Sequence, residues 1–177
     1  PEFIDYSKAI STRPLTNGVE LAVVKNPSND LFSLSYIVAM GSNNDRLLDL
    51  AVEYLPYLGT SRLGPKEFKK ELFKLGLSIN VRTDEDRVVV GLTGLAKNLP
   101  QGITLLEELL SNAQPNEEAL KSLVDDIAKE RENAQKDKNT ILQAAMYSYA
   151  RYGTTSPFND VMPLAELQTV PSKDLIA

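Results

Sequence analysis

Met40-Gly41-Ser42-Asn43-Asn44-Asp45 is the stretch that decides the fold, because it combines the end of a strand with the start of a helix. Glycine, asparagine and aspartate are the residues that close strands and cap helices. Apolar residues then recur at spacings of three and four over residues 47–58, which predicts an amphipathic helix. Pro56 is expected to kink or loosen the last turns of this helix, and Gly59-Thr60 to end it.

Two strands are predicted before this point. Residues 19–24 form the first, entered through the turn Asn17-Gly18. Residues 31–40 form the second, whose alternating pattern places four apolar side chains on one face: Phe32, Leu34, Tyr36 and Val38. Because Ile37 lies on the opposite face, we expect both sides of the sheet to be partly covered.

A second helix and a hairpin are predicted after the helix over residues 47–58. The helix covers residues 65–75 and begins at a proline, which favours the first helical turn. The strands of the hairpin cover residues 78–82 and 88–95, joined by the turn Asp84-Glu85-Asp86. This turn lacks the alternating ligands of a calcium loop and is expected to be solvated. The glycines of Gly91-Leu92-Thr93-Gly94 are expected to serve close packing and not nucleotide binding.

The remainder of the chain is predicted to be mainly helical. Residues 99–112 form an amphipathic helix with Ile103, Leu106, Leu109 and Leu110 in register. Pro115-Asn116-Glu117-Glu118 begins a long helix, with acidic residues placed well for the helix dipole. Its mixed charges beyond Leu123 are typical of a water-facing surface. Residues 141–152 carry the tyrosines Tyr147, Tyr149 and Tyr152, for which we expect helix packing in preference to substrate stacking. This order of elements predicts an α+β fold, with an antiparallel or mixed sheet and helices packed on one face.

The composition excludes several classes of function. The 177 residues fit one domain, and the net charge of -5 gives no reason to expect nucleic acid or an anionic membrane as partner. No apolar run is long enough to span a bilayer. The chain has neither histidine nor cysteine, so it cannot assemble the usual catalytic triads or an imidazole or thiolate zinc site.

In their order along the chain, these stretches resemble the insulinase/pitrilysin family of zinc peptidases. The resemblance rests on Gly41-Ser42 after a strand, on Gly59-Thr60 after a helix, and on Gly76-Leu77-Ser78-Ile79-Asn80 at the start of the hairpin. It extends from Leu15 to Ser156-Pro157-Phe158. It implies an insulinase/pitrilysin-like half-domain.

The resemblance also implies where a zinc site would lie. The inverted zinc motif His-x-x-Glu-His falls on Leu50-Ala51-Val52-Glu53-Tyr54, so that Leu50 and Tyr54 replace the two zinc histidines. Glu53 occupies the position of the catalytic base. The third ligand of the family falls near Arg131, which Glu130 and Glu132 flank. We therefore expect no catalytic, metal-binding or cofactor-binding residue in this chain.

The function implied by the resemblance is that of a non-catalytic domain. It would form part of a chamber wall and contact the peptide substrate, while zinc lies in a catalytic half in the same polypeptide or in a second subunit. The parent protein would then be a zinc metalloendopeptidase. We expect residues 1–177 to be one domain of a longer chain, with 1–14 as linker or first strand and 165–177 leading to a following half. The alternatives are a scaffold subunit of the same fold and an unrelated protein-interaction domain.

Overall fold

A computed structural model of the chain describes residues 6–155 and 161–176. Ser156-Pro157-Phe158, which carried one part of the family resemblance, lies outside the described residues. None of the helices in the described ranges has both the length and the apolar character needed to cross a membrane.

The strands form antiparallel pairs in three sheets. The seven strands of the described residues are β1 (Ser11–Pro14), β2 (Glu20–Val23), β3 (Leu31–Val38), β4 (Gly59–Thr60), β5 (Leu77–Thr83), β6 (Val88–Leu95) and β7 (Ala113–Gln114). The central sheet has the order β3-β6-β5, while β1 pairs with β2 and β4 with β7. The predicted hairpin is therefore confirmed, and β3 joins it as the third strand.

Helices connect these strands and follow them. The α-helices are α1 (Tyr6–Ala9), α2 (Leu48–Tyr54), α3 (Pro65–Lys74), α4 (Leu99–Asn112), α5 (Glu117–Ala134), α6 (Tyr147–Tyr152) and α7 (Leu164–Leu167). A π-helical segment, Thr140–Met146, leads into α6. Helix α2 ends at Tyr54 and continues as the 3-10 turn Leu55–Tyr57. This is the loosening expected from Pro56, which cannot donate a helical hydrogen bond.

The core lies between the central sheet and the helices. One cluster joins Val88, Val90 and Leu92 of β6 to Val52 of α2 and Leu106 of α4. A second cluster lies among the helices, and it unites buried residues of α2, α3, α4, α5 and α7. Both clusters lie on the same side of the sheet, so the prediction of an α+β layer with helices on one face is confirmed.

The opposite face of the sheet is open, which corrects the expectation drawn from Ile37. Register places Ile37 opposite Val89, on the face away from the helices, and its side chain is 67% exposed.

The prediction for Leu110 of α4 also needs correction. Its side chain is exposed, because the buried stripe of the helix runs through Leu106 and Leu109.

The packing expected for the tyrosines is wrong as well. Tyr147, Tyr149 and Tyr152 are all exposed, the first two by 60% or more. Their helix makes its main contacts with the two segments that flank it, Thr140–Met146 and Gly153–Thr155.

Two short segments take part in tertiary contacts. Gly59-Thr60, which was expected to end a helix, forms β4 and pairs with Ala113–Gln114. Pro171 precedes the 3-10 turn Ser172–Leu175, and Ser172 is only 1% exposed because it packs against the start of α5.

Gly41 allows the loop before α2 to lie against the tip of the β5–β6 hairpin. The backbone N–H groups of Ser42 and Asn43 donate to the carbonyls of Asp84 and Glu85, both at 3.1 Å. A side chain at Gly41 would clash with the backbone of this turn. The turn is thus anchored by its backbone while its charged side chains stay near solvent. This contact fixes where α2 begins on the sheet.

We expect Gly41→Ala to lower the free energy of unfolding by about 3 kcal/mol, because backbone atoms must move apart to admit the methyl group. Urea denaturation measures this. Gly64→Ala is the matched control: Gly64 has a negative φ, and only the mobile carboxylate of Glu67 lies near its missing side chain. The control should cost about 1 kcal/mol or less. Equal costs at the two positions would contradict this role of Gly41.

Candidate functional site

Helix α2 has a buried face and a face open to a cleft. Leu50 and Tyr54 are one turn apart on the buried face, with exposed fractions of 3% and 0%. Glu53 lies on the other face, whose side chains reach solvent. The two positions that the resemblance assigns to zinc ligands therefore point into the core.

Leu50 is part of the helical core. It belongs to the same buried cluster as Leu120, Leu123 and Val124 of α5. These contacts explain why an aliphatic residue stands here, since burying a leucine side chain is worth about 1.5–3 kcal/mol. Leu50 has no atom that could bind a metal.

The phenol of Tyr54 joins α2 to the start of α5. Its hydroxyl donates to the backbone carbonyl of Asn116 at 2.8 Å and accepts from the backbone N–H of the same residue at 2.7 Å. Asn116 in turn caps α5, because its side-chain oxygen accepts from the N–H of Ala119 at 3.0 Å. Burial raises the pKa of Tyr54, which keeps the phenol neutral and bonded.

A second polar contact extends this junction to the end of the described chain. Ser172 donates to one carboxylate oxygen of Glu117 through its N–H at 3.0 Å and its hydroxyl at 2.8 Å. Tyr54, Asn116, Glu117 and Ser172 are here called the polar junction. The junction holds three elements together: α2, α5 and the final 3-10 turn.

Glu53 lines an open cleft of about 640 Å³ between α2, α3 and α5. The lining residues are Glu53, Pro56, Tyr57, Lys69, Val81, Leu123, Asp126, Ile127, Lys129, Glu130 and Asn133. The pKa of Glu53 is raised, first by burial and then by the nearby carboxylates of Asp49 and Glu130, while Arg131 lowers it. Burial also raises the pKa of Asp49. The cleft thus makes ionisation of the Glu53 carboxyl less favourable than it is in water.

The residues near the third ligand position separate in the structure. Glu130 lines the cleft with Glu53. Arg131 turns toward the C-terminal segment and donates to the carbonyl of Met162 at 2.7 Å. Glu132 pairs with Lys136 at 2.5 Å, and both side chains are about two-thirds exposed. Of the two carboxylates, only Glu130 therefore lines the cleft with Glu53.

These residues do not fit a zinc ion. Zinc in a catalytic site takes nitrogen, sulfur or carboxylate donors, usually three from the protein. Leu50 offers none, and the one donor atom of Tyr54 is already bonded twice to Asn116. Among residues 6–155 and 161–176, no three carboxylates come together in a group that could hold a metal.

The polar junction was only partly visible in the sequence. Asn116 before two glutamates is a pattern typical of a helix start, and it was predicted as one. Its bond to Tyr54 joins residues 62 positions apart, and the bond between Ser172 and Glu117 joins residues 55 apart. No local pattern marks such pairs.

Comparison with known proteins gives matches to one family. Residues 21–158 match the family model of insulinase, peptidase family M16. The beta subunit of the mitochondrial-processing peptidase of Neurospora crassa is 24% identical over 152 residues, which cover 81% of this chain and 32% of that protein. Core protein I of the ubiquinol-cytochrome-c reductase complex of Euglena gracilis is 21% identical over 125 residues, which cover 71% of this chain and 25% of that protein. The chain thus spans a third or less of these relatives.

Solved structures share the fold at low identity. The ferredoxin protease FusC, in complex with Arabidopsis ferredoxin, has a TM-score of 0.77 at 16% identity, covering 98% of this chain and 20% of that one. A peptidase M16 inactive domain from Pseudomonas fluorescens has a TM-score of 0.76 at 16% identity, covering 94% and 42%. In both, the chain matches one part of a larger protein.

We expect Tyr54→Phe to lower the free energy of unfolding by about 1–3 kcal/mol, because the backbone N–H and carbonyl of Asn116 lose their buried partner. Thermal or urea denaturation measures the change. Tyr57→Phe, at a more exposed position after α2, is the control and should change stability by about 0.5 kcal/mol or less. If Tyr54→Phe lowers the free energy of unfolding no more than Tyr57→Phe does, the polar junction contributes little to stability.

The raised pKa of Glu53 predicts a pH dependence. The folded chain favours the protonated carboxyl, so ionisation as the pH rises above the ordinary value of 4.5 costs stability. Glu53→Gln removes this cost. We expect the variant to exceed the native chain in free energy of unfolding at pH 7 and to lose that advantage near pH 4.

Urea denaturation at the two pH values measures the difference. Asp125→Asn, on the exposed side of α5, is the control and should show no comparable gain at pH 7. A Glu53→Gln variant that is less stable than the native chain at pH 7 would show that Glu53 makes a favourable charged contact.

Proposed function

The chain belongs to the insulinase family, peptidase family M16, and we propose that it is a non-catalytic domain of a zinc peptidase of that family. Its antiparallel sheet with helices on one face matches the half-domain fold of the M16 inactive domain from Pseudomonas fluorescens. The proposal does not depend on that protein's description alone, because the residues at the motif positions supply an independent chemical reason.

The observation that carries the proposal is the burial of Leu50 and Tyr54. An inverted zinc motif needs two imidazoles, four residues apart, that project toward a metal. Here the two positions hold an aliphatic side chain and a phenol, both in the core. Glu53 keeps the position of the catalytic base but has no metal-bound water to activate. The positions that could bind metal in the family thus serve packing in this chain.

A domain without a zinc site can still serve the peptidase by shaping the chamber and by contacting the substrate. We propose that the domain forms part of the wall of a peptide-binding chamber and contacts peptide along the cleft at Glu53. The cleft supports this because it combines apolar surface at Ile127 with the charges of Lys69 and Glu130. Such a surface suits an extended peptide of mixed composition.

Zinc and the catalytic residues would lie in a partner half of the same family, in the same polypeptide or in a second subunit. The chain covers 42% of the Pseudomonas inactive domain and 20% of the ferredoxin protease. These shares support a larger parent protein in which residues 1–177 form one domain and residues 165–177 lead to the next half.

A second candidate function is that of a scaffold subunit. It is favoured by the match to core protein I of the Euglena reductase complex, whose name describes part of a larger assembly. The two functions differ in whether the parent protein or its partner subunit contains an intact His-x-x-Glu-His motif.

The test is the peptidase activity of the parent protein or complex on a quenched fluorescent peptide. Glu53→Gln should leave kcat within about twofold of the native value, because Glu53 activates no water, and any effect on peptide binding should appear in KM. Glutamate-to-glutamine substitution in the intact zinc motif of the partner half is the matched control and should abolish activity. A large loss of kcat with Glu53→Gln would overturn the proposal, and a parent protein without activity would favour the scaffold function.

A further inference from the structure

Among residues 6–155 and 161–176, no strand pairs with one edge of the central sheet. The order of the sheet is β3-β6-β5, so β3 (Leu31–Val38) hydrogen-bonds to β6 on one side only. Its eight residues pair with β6 without interruption, from Leu31 opposite Leu95 to Val38 opposite Val88. On the other side, a regular strand of this length presents backbone N–H and carbonyl groups at alternate positions.

This edge has none of the features that protect exposed strands. Natural edge strands usually carry a charge, a proline or a bulge that prevents another strand from pairing with them. The sequence of β3, Leu-Phe-Ser-Leu-Ser-Tyr-Ile-Val, contains no charge and no proline, and its pairing shows no bulge. By contrast β5, at the opposite edge, carries Arg82 in the row that holds Ile37 on β3.

The side chains of β3 are also incompletely covered on both faces. Leu31 and Ile37, on the open face, are 51% and 67% exposed. On the helix side, Leu34 and Tyr36 are only half-buried, whereas Leu92 and Val90 of the neighbouring β6 are buried. A further strand beside β3 would cover apolar surface on both faces at once.

We propose that the free edge of β3 pairs with a strand from the next half of the parent protein, to which residues 165–177 lead. The inference rests on the proposed function, in which such a following half exists. The comparisons indicate the occupant. The match to the Pseudomonas inactive domain includes 94% of this chain but only 42% of that protein. Such proteins therefore contain further chain that could complete the sheet. A backbone ladder would join the two halves as a continuous sheet.

The hairpin β1–β2 lies nearer along the chain but does not fill the edge. β1 and β2 pair only with each other in the described structure, as a separate two-stranded sheet. The loop between β2 and β3 is held by its own contacts, since the side-chain amide of Asn26 donates to Asn29 and to the carbonyl of Leu31. Within the part of the chain that the structure describes, the edge therefore stays open although this hairpin is present.

Hydrogen–deuterium exchange tests the proposal directly. The outward-facing amides of residues 31–38 should exchange at least about tenfold more slowly in the parent protein than in the 177-residue chain. The measurement is made at several protein concentrations and without added peptide, so that only the covalent parent or its stable complex can supply the strand.

A pair of lysine variants sharpens the test. Ser33 on β3 and Ser78 on β5 are both exposed and lie in one row, on either side of Thr93. In the parent protein, Ser33→Lys should restore fast exchange at residues 31–38, because a lysine on an edge opposes strand pairing. Ser78→Lys, on the opposite edge strand β5, is the matched control and should leave exchange at residues 31–38 slow. Circular dichroism of both variants of the 177-residue chain checks that each still folds.

Several outcomes would overturn the proposal. Equal exchange in the parent and in the 177-residue chain would show that the edge stays open. If exchange is slow in the 177-residue chain and depends on protein concentration, a second copy of the chain pairs with the edge of β3. If exchange is slow but does not depend on concentration, the hairpin β1–β2 pairs with it. Slow exchange only after addition of peptide would assign it to substrate. Each of these results leaves the peptidase test of the proposed function untouched, because that test measures activity.

Discussion

The paired hydrogen bonds between the Tyr54 phenol and the backbone of Asn116 are the constraint on which the arrangement of helices depends. They fix the end of α2 against the first turn of α5, at the point where Asn116 caps that helix. Leu50, one turn earlier, then packs among the leucines of α5. Because a buried phenol must keep its partners, this contact also fixes which face of α2 points to the core.

The same orientation explains the chemistry of the cleft. With Leu50 and Tyr54 turned inward, Glu53 lies on the open face of α2 and shares the cleft with Glu130 of α5. Glu53 and Glu130, at or near the positions that the resemblance assigns to the catalytic base and the third ligand, thus line the same cleft. Burial is the main reason that the pKa of Glu53 is raised, the nearby carboxylates of Asp49 and Glu130 add to the effect, and Arg131 opposes it.

Much of the fold was predictable from local patterns. The bounds of α4 and the start of α5 follow from apolar periodicity and from the capping pattern at Asn116. The hairpin follows from strand residues on both sides of an acidic turn. The exposure of Ile37 and of the tyrosines on α6 did not follow. Their side chains suit a core, and only the tertiary arrangement determines whether another element covers them.

The contacts of the candidate site could not be predicted from the sequence. The spacing back from Gly59-Thr60 assigned the motif to α2, and that assignment stays a prediction, whereas the family is shown by the match over residues 21–158. The reason that Leu50 and Tyr54 stand there lies in contacts with α5 and with Ser172, more than 50 residues away along the chain. Sequence spacing within one helix carries no information on such contacts.

Equilibrium dialysis of the 177-residue chain against zinc, followed by metal analysis, tests the central claim most directly. If the motif positions serve packing, the chain should retain no more zinc than a variant in which both Glu53 and Glu130 are replaced by glutamine. Retention of one zinc ion per native chain, lost in that variant, would show that the cleft still holds a metal site and would contradict the account.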